Sequence, residues 1–587
     1  MNFTVQNIVL MKHTYFFLLL LITADSFSQW NKDSLVRNPV CTAPHSQYYA
    51  RSCTDGAGGA IFTWVDERNL PISAIYAQKI NVKGKRAWAA NGIPIFAPTD
   101  VSTGSVYSTI VADGSGGAII VMEISVIGGA NQLWAQHINA AGALLWGNGV
   151  RITDAPDARM RWVEDPTQDG ISADGSGGVF VTWQAYQDTY FNYAQHIDAN
   201  GNLVWGSTGV PLISVSGTNG YRTIITSTGN GTAVAGFSGL VNGVYYYYLQ
   251  RIAANGSNIW GSNGLQMSNA YANQGPDTRV IYDAATSSVF TAFLTSSGSI
   301  INLNVQKIDL NGNILWTAGG VNTTNLSSGY TQTPDLLPDG KGGIFLASAV
   351  NLKAVVQHLN TKGKILWGAA GITVDNTTSG SQYNTSVVPD GGTGFIITYN
   401  TSRSFSTSGY PIYSQHYTAA GVATWQNGGV AVMVNNTNID HEVPYMIAST
   451  KGFAITCWQD SRNSNTTSYD IYAARYGGAT GMSLQGMDDE DLATAKSINN
   501  NIPSVNVYPN PASDDVVISF MLNDDVSNAS ISIYDATGRK VKDVAWGNLK
   551  AGKQSFHINT HNLQSGIYNA VIVYSTGKQE TKIVISK

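Results

Sequence analysis

The chain has 587 residues, and only 12% of them are charged, about half of the usual ~25%. Its formal net charge is −5 at pH 7. The length is too great for one ordinary hydrophobic core, so it indicates several domains or a repeat architecture. The weak negative charge offers no basic surface that could neutralise phosphates along a nucleic acid, which excludes nucleic-acid binding from the expected functions.

The N-terminus has the pattern of a secretory signal peptide. Lys12 and His13 precede an apolar run over residues 15–22, and the small residues Ser26 and Ser28 follow. We expect cleavage after Ser28, which assigns residues 1–28 to the signal. The apolar run is far shorter than the ~20 residues that a spanning helix needs, and no later stretch qualifies. The sequence therefore predicts a secreted protein without a membrane-spanning segment.

A repeat fills the region from residue 29 to residue 476. A Gln recurs seven times, with a Gly six residues after it and a Trp ten residues after it. The spacing between successive Gln residues runs from 51 (306 to 357) to 59 (136 to 195), which is the range of solenoids and propellers. The Gln residues are Gln78, Gln136, Gln195, Gln250, Gln306, Gln357 and Gln415, and the Trp residues are Trp88, Trp146, Trp205, Trp260, Trp316, Trp367 and Trp425.

Each repeat reads as four short strands separated by Gly-rich turns. In one unit the strands are expected over residues 108–112, 118–123, 132–139 and 144–152, because β-branched and aromatic runs alternate there with turn residues. Four antiparallel strands per unit predict one blade of an all-β propeller.

The two ends of the repeat region predict how the ring closes. An eighth unit begins near Glu442 and stops before a fourth strand, whereas Trp30 to Cys41 resembles the fourth-strand region of the Trp205 unit. If the N-terminal strand completes the last unit, the propeller has eight blades and no open edge. Seven blades or an open arc remain as alternatives. Cys41, Cys53 and Cys457 show no metal-binding spacing, and their pairing is not decided by the sequence.

A separate module of about 80 residues follows an acidic linker. The linker covers residues 477–503, and the module, residues 504–587, alternates apolar and polar residues as a small Ig-like β-sandwich does. The module contains Pro509-Asn510-Pro511, Gly566-Ile567-Tyr568 and a terminal Lys587 in that order. This ordered set resembles the type A C-terminal sorting domain of the type IX secretion system.

The resemblance implies an export route. It implies passage through the outer membrane, recognition by the type IX secretion machinery, and release from the cell or attachment to its surface. The family's most characteristic positions correspond to Pro509, Asn510, Pro511, Gly566, Tyr568 and Lys587. Each of these residues also has an ordinary structural role, since prolines fix strand entry and a tyrosine fills a core.

The turns and the basic residues of the repeat are expected to be structural. Asp-Gly-x-Gly-Gly turns, such as those at Asp113 and Asp174, could offer oxygens to Ca²⁺, but each supplies one carboxylate where a cage needs several. We therefore expect hairpin turns, with no metal and no cofactor. The residue after each repeat Gln is Lys, Arg or His, and we expect it to pair with carbonyls or with the turn Asp.

The connections opposite the Gly turns vary in length, as in residues 154–169 and 402–408. Binding residues tend to lie on variable loops over a rigid scaffold. Two similar segments lie there, in the first and last units. They suggest a site with aromatic platforms and carboxylates at the seam of the ring, and the alternative is a repeated surface ion pair. The residues are Trp64, Asp66, Arg68, Trp458, Asp460 and Arg462.

The sequence favours a non-enzymatic function. We expect a binding or adhesion propeller for carbohydrate or protein, because carboxylates are scarce and no Ser-His-Asp or HExxH pattern occurs. The first alternative is a hydrolase or lyase acting on polysaccharide, with Asp66, Asp460 or Glu164 as acid and base. The second alternative is a surface scaffold without a ligand.

Overall fold

The computed structural model describes two compact units, within residues 1–485 and within residues 486–587. The predicted signal peptide, Glu164, Pro509 and the linker beyond Gly478 lie outside the described residues. Among the residues that are described, no helix is long and apolar enough to cross a membrane. The described residues are 30–31, 34, 37–97, 103–126, 128–155, 157–160, 170–187, 189–213, 219–241, 244–268, 278–297, 300–324, 331, 334–376, 380–402, 410–434, 441–464, 467–478, 506–508, 510–522, 525–535, 539–574 and 577–587.

The first unit contains eight antiparallel sheets, which we call blades 1 to 8 in chain order. Blade 1 comprises β2 (Gln47–Thr54), β3 (Ala60–Asn69), β4 (Ile72–Ile80) and β5 (Ile93–Phe96). Blade 2 comprises β6 (Thr103–Ala112), β7 (Ala118–Val126), β8 (Gln132–Ile138) and β9 (Val150–Arg151). Blade 3 comprises β10 (Ala158–Arg159) and β11 (Ile171–Ala173), which both pair with β12 (Val179–Gln187), then β13 (Thr189–Ile197) and β14 (Val210–Pro211). Blade 4 comprises β15 (Asn219–Gly229), β16 (Thr232–Val241), β17 (Val244–Ile252) and β18 (Leu265–Gln266).

The remaining blades follow the same order. Blade 5 comprises β19 (Thr278–Asp283), β20 (Ser288–Ser297), β21 (Ile300–Asp309) and β22 (Val321–Asn322). Blade 6 comprises β23 (Asp335–Pro338), β24 (Ile344–Val350), β25 (Lys353–Leu359) and β26 (Ile372–Thr373). Blade 7 comprises β27 (Gln382–Pro389), β28 (Phe395–Thr401), β29 (Ile412–Tyr417) and β30 (Val430–Met433). Blade 8 comprises β31 (His441–Ala448), a 3₁₀ turn (Thr450–Gly452), β32 (Phe453–Asp460), β33 (Asp470–Gly477) and the N-terminal β1 (Asn38–Cys41).

The blades form a closed ring. The first strand of each blade contacts the first strand of the next, and β31 of blade 8 contacts β2 of blade 1. Strand β1 pairs antiparallel with β33, with Asn38 opposite Ala473. Trp30 donates its Nε1 proton to the carbonyl of Val82 at 3.0 Å. The predicted eight-bladed propeller with an N-terminal closing strand is confirmed, and this closure leaves no sheet edge open at the seam.

The hydrophobic core lies in layers between neighbouring blades. Ile61 and Ile75 of blade 1 pack with Ile120 and Met122 of blade 2, and all four side chains are buried. This arrangement follows from the sequence, because both faces of each central strand are apolar, as in a sheet covered on both sides.

The fourth strand of each blade is shorter than the sequence indicated. In blade 2 the expected run from Leu144 to Ile152 contains only a bridge at Leu144 and the two-residue β9. Gly147 and Gly149 between them have positive φ angles of 57° and 97°, a region that glycine adopts without steric cost. The chain therefore turns around Trp146 before it pairs again.

The second unit is a seven-stranded sandwich, as predicted. One sheet has the order β34-β35-β38 and the other β37-β36-β39-β40. Val516, Ile531 and Ile572 are fully buried between them. The strands are β34 (Asn506–Tyr508), β35 (Asp515–Leu522), β36 (Val526–Tyr534), β37 (Lys540–Leu549), β38 (Gly552–Asn559), β39 (Gly566–Tyr574) and β40 (Gly577–Ile585).

Candidate functional site

The repeat Gln residues connect the third strand of a blade to its fourth-strand segment, and several of the repeat Trp residues bond to the next blade. In blade 2, Gln136 donates to the carbonyl of Gly147 at 2.9 Å and accepts the amide proton of Trp146 at 3.1 Å. Trp146 donates its Nε1 proton to the carbonyl of Ala199 in blade 3 at 3.2 Å. The most regular feature of the sequence is thus a structural device.

The aspartates that open the first turns accept hydrogen bonds from their own turn and from the third strand. In blade 2, Oδ1 of Asp113 accepts the amide protons of Ser115 and Gly117, and Oδ2 lies 3.0 Å from Nε2 of His137. Burial alone would raise the pKa of Asp113, but these hydrogen bonds hold that pKa below its usual value. Blades 3, 6 and 7 repeat the pair as His196–Asp174, His358–Asp339 and His416–Asp390. This geometry favours hairpin turns over calcium sites.

The first segment predicted for the seam contains Trp64, Asp66 and Arg68, and these side chains hydrogen-bond to one another. Asp66 accepts the Nε1 proton of Trp64 at 2.7 Å and two protons from the guanidinium of Arg68 at 2.7 and 2.6 Å. Trp64 is fully buried and Asp66 is 1% exposed. The Arg68 guanidinium lies 3.8 Å from the ring centroid of Tyr76. Each polar atom of the carboxylate is used within the blade.

Trp458, Asp460 and Arg462 repeat this group in blade 8. Asp460 accepts from Trp458 at 3.0 Å and from Arg462 at 2.9 and 2.7 Å. Trp458 packs in the cluster between blades 7 and 8, whereas Trp64 packs in the cluster between blades 8 and 1. The two groups therefore occupy equivalent places one blade apart. Binding at these six residues stays a prediction, and their geometry favours the structural alternative.

The three cysteines are buried and free. Cys41 and Cys457 lie on β1 and β32, and β33 runs between those strands. Two strand spacings amount to about 9–10 Å, beyond the ~7 Å between Cα atoms that a disulfide spans. Burial raises the pKa of Cys41 to about 12 and that of Cys457 to about 11, and it also raises the pKa of Cys53. Such thiols are unreactive at neutral pH.

A central cavity of about 360 Å³ lies inside the ring, lined by the first strands of blades 2 to 8. Many of its lining residues are aliphatic, but Ile225, Val280 and Leu336 are buried and pack in the layers between blades. The surface that faces the cavity is therefore more polar than apolar. Because the first strand of each blade pairs on one side only, its other backbone edge faces the interior of the ring. The cavity therefore presents backbone polar groups over much of its surface.

Polar side chains cluster on one part of this wall. Arg279 of blade 5 donates to Oδ1 of Asp335 in blade 6 at 2.8 Å. Oδ2 of Asp335 accepts from the Ser386 hydroxyl at 3.1 Å and from the Val387 amide at 2.9 Å, both in blade 7. Tyr445 of blade 8 also lines the cavity, and the guanidinium of Arg51 in blade 1 lies 5.4 Å from its ring centroid.

The sequence contained an overlooked signal for these residues. Arg279, Asp335 and Ser386 each stand four residues before the aspartate that opens the first turn of their blade, and Tyr445 stands four before the corresponding Ser449. When the blades are aligned on that turn, these four residues occupy equivalent positions. They therefore fall at one level of the cavity. The repeat Gln gave no such alignment, because it lies on the third strand.

A half-buried carboxyl group lies at the variable-loop face of blade 2. Glu123 accepts from the Asn131 amide at 2.8 Å and from the backbone amide of Met160 at 2.8 Å. Burial raises the pKa of Glu123 to about 7, although these hydrogen bonds act in the opposite direction. The group connects the turn after β7 to the segment that enters blade 3.

The signature residues of the second unit gather around its last strand. Asn510 accepts the amide proton of Val584 at 2.7 Å and donates to the carbonyl of Lys582 at 3.0 Å. Pro511 is exposed beside Ala512, whose amide donates to the Val584 carbonyl at 2.8 Å. The segment that contains Asn510 and Pro511 is thus fastened to β40, with an isolated parallel bridge between Ala512 and Ile585.

The other signature residues lie at the end of the same strand. Gly566 is paired with Ile585 in β39 and β40. The buried Tyr568 donates its hydroxyl proton to the carbonyl of Gln564 at 2.9 Å, and the Lys587 amide donates to the hydroxyl of Ser565 at 3.0 Å. The Lys587 ammonium donates to the carbonyl of His561. These residues come together around β40 although they are far apart in sequence.

Comparison with known proteins identifies this second unit. Residues 506–586 match the family described as a secretion system C-terminal sorting domain. No curated protein matches the chain. Among solved structures, prolyl oligopeptidase B from Galerina marginata is 14% identical with a TM-score of 0.37, over 71% of this chain and 56% of that chain. This chain thus spans little more than half the length of that structure.

Two further structures show a similar level of likeness. A protein of unknown function from Dyadobacter fermentans is 8% identical with a TM-score of 0.35, over 75% of this chain and 96% of that one. An α-L-arabinanase from Penicillium chrysogenum, complexed with arabinobiose, is 12% identical with a TM-score of 0.32, over 56% of this chain and 99% of that one. These values are too low to carry an argument about function. Residues 506–586 belong to the C-terminal sorting domain family, and the chain is a type IX secretion substrate that is exported to the cell surface or released from the cell.

Proposed function

We propose that the propeller is an extracellular binding module and that its ligand enters the central cavity. The observation that carries this proposal is the cavity itself. Its volume of about 360 Å³ lies within the ~300–1,000 Å³ range of ligand pockets. Seven blades contribute to its wall, so the wall is held by the whole closed ring. The group of Arg279, Asp335, Ser386 and Tyr445 adds polar side chains to the backbone edges of the first strands.

The state of the candidate acids supports binding over hydrolysis. A general acid or base needs a carboxyl group that can reach a substrate proton. Asp66 and Asp460 are 1% and 0% exposed, and each is held by its own Arg and Trp. A carboxylate fixed in this way stabilises its blade and has no contact to offer a sugar.

The chemistry of the wall favours a protein ligand over a carbohydrate. Sugars are usually held against aromatic faces, whereas Tyr445 is the one aromatic residue among the described residues that line the cavity. A protein segment that offers backbone and polar groups fits a wall formed largely by backbone edges. The exposed backbone edges could accept its main-chain hydrogen bonds.

A ligand screen with a cavity-filling variant tests the proposal. The full secreted chain is applied to arrays of peptides, surface proteins, glycans and polysaccharides, and each hit is assayed for released product. Thr226 lines the cavity, and Thr226→Phe is expected to weaken binding at least tenfold. The matched control is Thr208→Phe, at an exposed position, which should bind normally. Chain cleavage that Asp66→Ala or Asp460→Ala abolishes would overturn the proposal, and so would binding that Thr226→Phe leaves unchanged.

A further inference from the structure

The rim that carries the Gly turns has an arc of exposed aliphatic side chains. They lie in the hairpin between the third and fourth strands, within the three residues before the repeat Trp, in each of blades 2 to 7. The arc comprises Leu144 (39% exposed), Leu145 (51%), Val204 (42%), Ile259 (41%), Ile314 (44%), Leu315 (48%), Leu366 (45%) and Val422 (59%).

The arc is continuous because neighbouring hairpins touch. A Cβ atom on Gly201 of blade 3 would lie 3.1 Å from the Trp146 ring of blade 2, and one on Gly256 would lie 3.0 Å from the Trp205 ring. The same contact recurs for Gly312, Gly363 and Gly421. A Trp–Gly contact therefore joins each hairpin that carries aliphatic residues to the next. Exposed apolar side chains are common singly, but a continuous set at one register marks an interaction surface.

The arc has defined ends. In blade 1 the equivalent residues are Lys85, Arg86 and Ala87. In blade 8 the third strand ends at Gly477, and β1 supplies the fourth strand, so no such hairpin is formed there. The apolar surface therefore spans six of the eight blades and stops on both sides of the seam.

We propose that this arc is the contact surface between two copies of the chain, related by a two-fold axis. An axis in the plane of the ring that passes between blades 4 and 5 places blade 2 over blade 7, blade 3 over blade 6 and blade 4 over blade 5. The arc of one chain then lies over the arc of the other chain along its whole length. A two-fold contact needs such a self-complementary surface.

The charges on the hairpins agree with this arrangement. Asp198 opens the hairpin of blade 3, and its pKa is held below the usual value by hydrogen bonds from Asn202 and Asn200, against the opposing effect of burial. The exposed Lys362 and Lys364 lie on the hairpin of blade 6. The axis brings Asp198 of one copy opposite these lysines of the other, twice per pair.

The apolar area is sufficient for a stable pair. A large aliphatic side chain offers on the order of 100 Å² of surface. Eight of them, each about half exposed, provide roughly 400 Å² per copy and roughly 800 Å² per pair. A specific interface buries about 1,200–2,000 Å² in total, of which rather more than half is apolar. The arc supplies most of that apolar share. The inference does not depend on the cavity, which lies inside the ring.

Sedimentation velocity of the full secreted chain at micromolar concentration tests the inference. We expect a dimer, and Leu145→Asp should raise its dissociation constant by at least about thirtyfold. The matched control is Leu352→Asp, because Leu352 is 38% exposed between the second and third strands of blade 6, on the opposite face. It should remain dimeric. Unfolding midpoints of both variants check that they fold.

A charge exchange tests the register of the two copies. Asp198→Lys should weaken the dimer roughly tenfold, and adding Lys364→Asp to it should restore the affinity. A wild-type chain that stays monomeric, or a dimer that Leu352→Asp disrupts as strongly as Leu145→Asp, would overturn the inference. Binding of a monomeric wild-type chain to phosphatidylcholine vesicles through the arc would also overturn it.

Discussion

Removing the Trp30 side chain should open the ring at its seam. Trp30 is 3% exposed, packs with Val40, Trp64 and Ile471, and donates to Val82 at 3.0 Å. Replacement of a buried aromatic residue by Ala costs about 3–5 kcal/mol, which includes the cavity left behind. We therefore expect Trp30→Ala to lower the free energy of unfolding of the propeller by about 4 kcal/mol.

The loss should be localised at the closing strand. Hydrogen exchange followed by mass spectrometry should show faster exchange in residues 470–477, because β33 loses the support of β1. The matched control is Trp146→Ala. Trp146 makes the same indole-to-carbonyl bond between blades 2 and 3, but it lies away from the seam. It should leave exchange in residues 470–477 unchanged.

Two results would refute this reasoning. One is a loss of less than about 1 kcal/mol for Trp30→Ala, the size of a single hydrogen bond, which would mean that the N-terminal strand adds little to closure. The other is equal exchange in residues 470–477 in both variants.

Three further predictions concern other parts of the chain. The folded state binds the Glu123 proton more tightly than the unfolded state, since the pKa of Glu123 is raised from 4.5 to about 7; stability should therefore fall as pH rises from 4.5 to 7, by on the order of 2–3 kcal/mol. Glu123→Gln should remove this dependence in unfolding curves measured across that range, and an unchanged slope would contradict the assignment. Asp66→Ala should destabilise the propeller by about 3–5 kcal/mol, because it leaves the partly buried Arg68 without its carboxylate, and a variant as stable as wild type in denaturant unfolding would show the group to be dispensable. Asn510→Ala should lower the stability of the sorting domain by about 1–2 kcal/mol and reduce the amount of protein exported, whereas the exposed Asn569→Ala should do neither; equal export of the two variants would be evidence against a role for Asn510 in holding β40.

The number of blades and the way they close could be predicted from the sequence. The repeat of Gln, Gly and Trp sets the period, and Trp30 with the segment up to Cys41 supplies the missing fourth strand. Both signals are local and repeated, so chance variation in one unit does not hide them. The short fourth strand could not be predicted, since Gly147 and Gly149 interrupt a run that otherwise looks extended.

The candidate site was less accessible to sequence reasoning. The Trp-x-Asp-x-Arg pattern at Trp64 and Trp458 drew attention because such residues often bind ligands. In the fold the Arg of each pattern turns back onto its own Asp two residues away. Packing between blades then buries that Asp, and this burial is a tertiary effect. The polar residues of the cavity come from four different blades, so their proximity depends on ring closure and on the alignment of first strands.

Calorimetric titration of the strongest ligand from the screen into wild type and Thr226→Phe tests the central claim most directly. We expect one site per chain in wild type, binding at least tenfold weaker in Thr226→Phe, and no product formed from the ligand. Equal affinity in the two proteins would place the ligand outside the cavity and overturn the proposed binding site, and turnover of the ligand during the titration would overturn the non-enzymatic function.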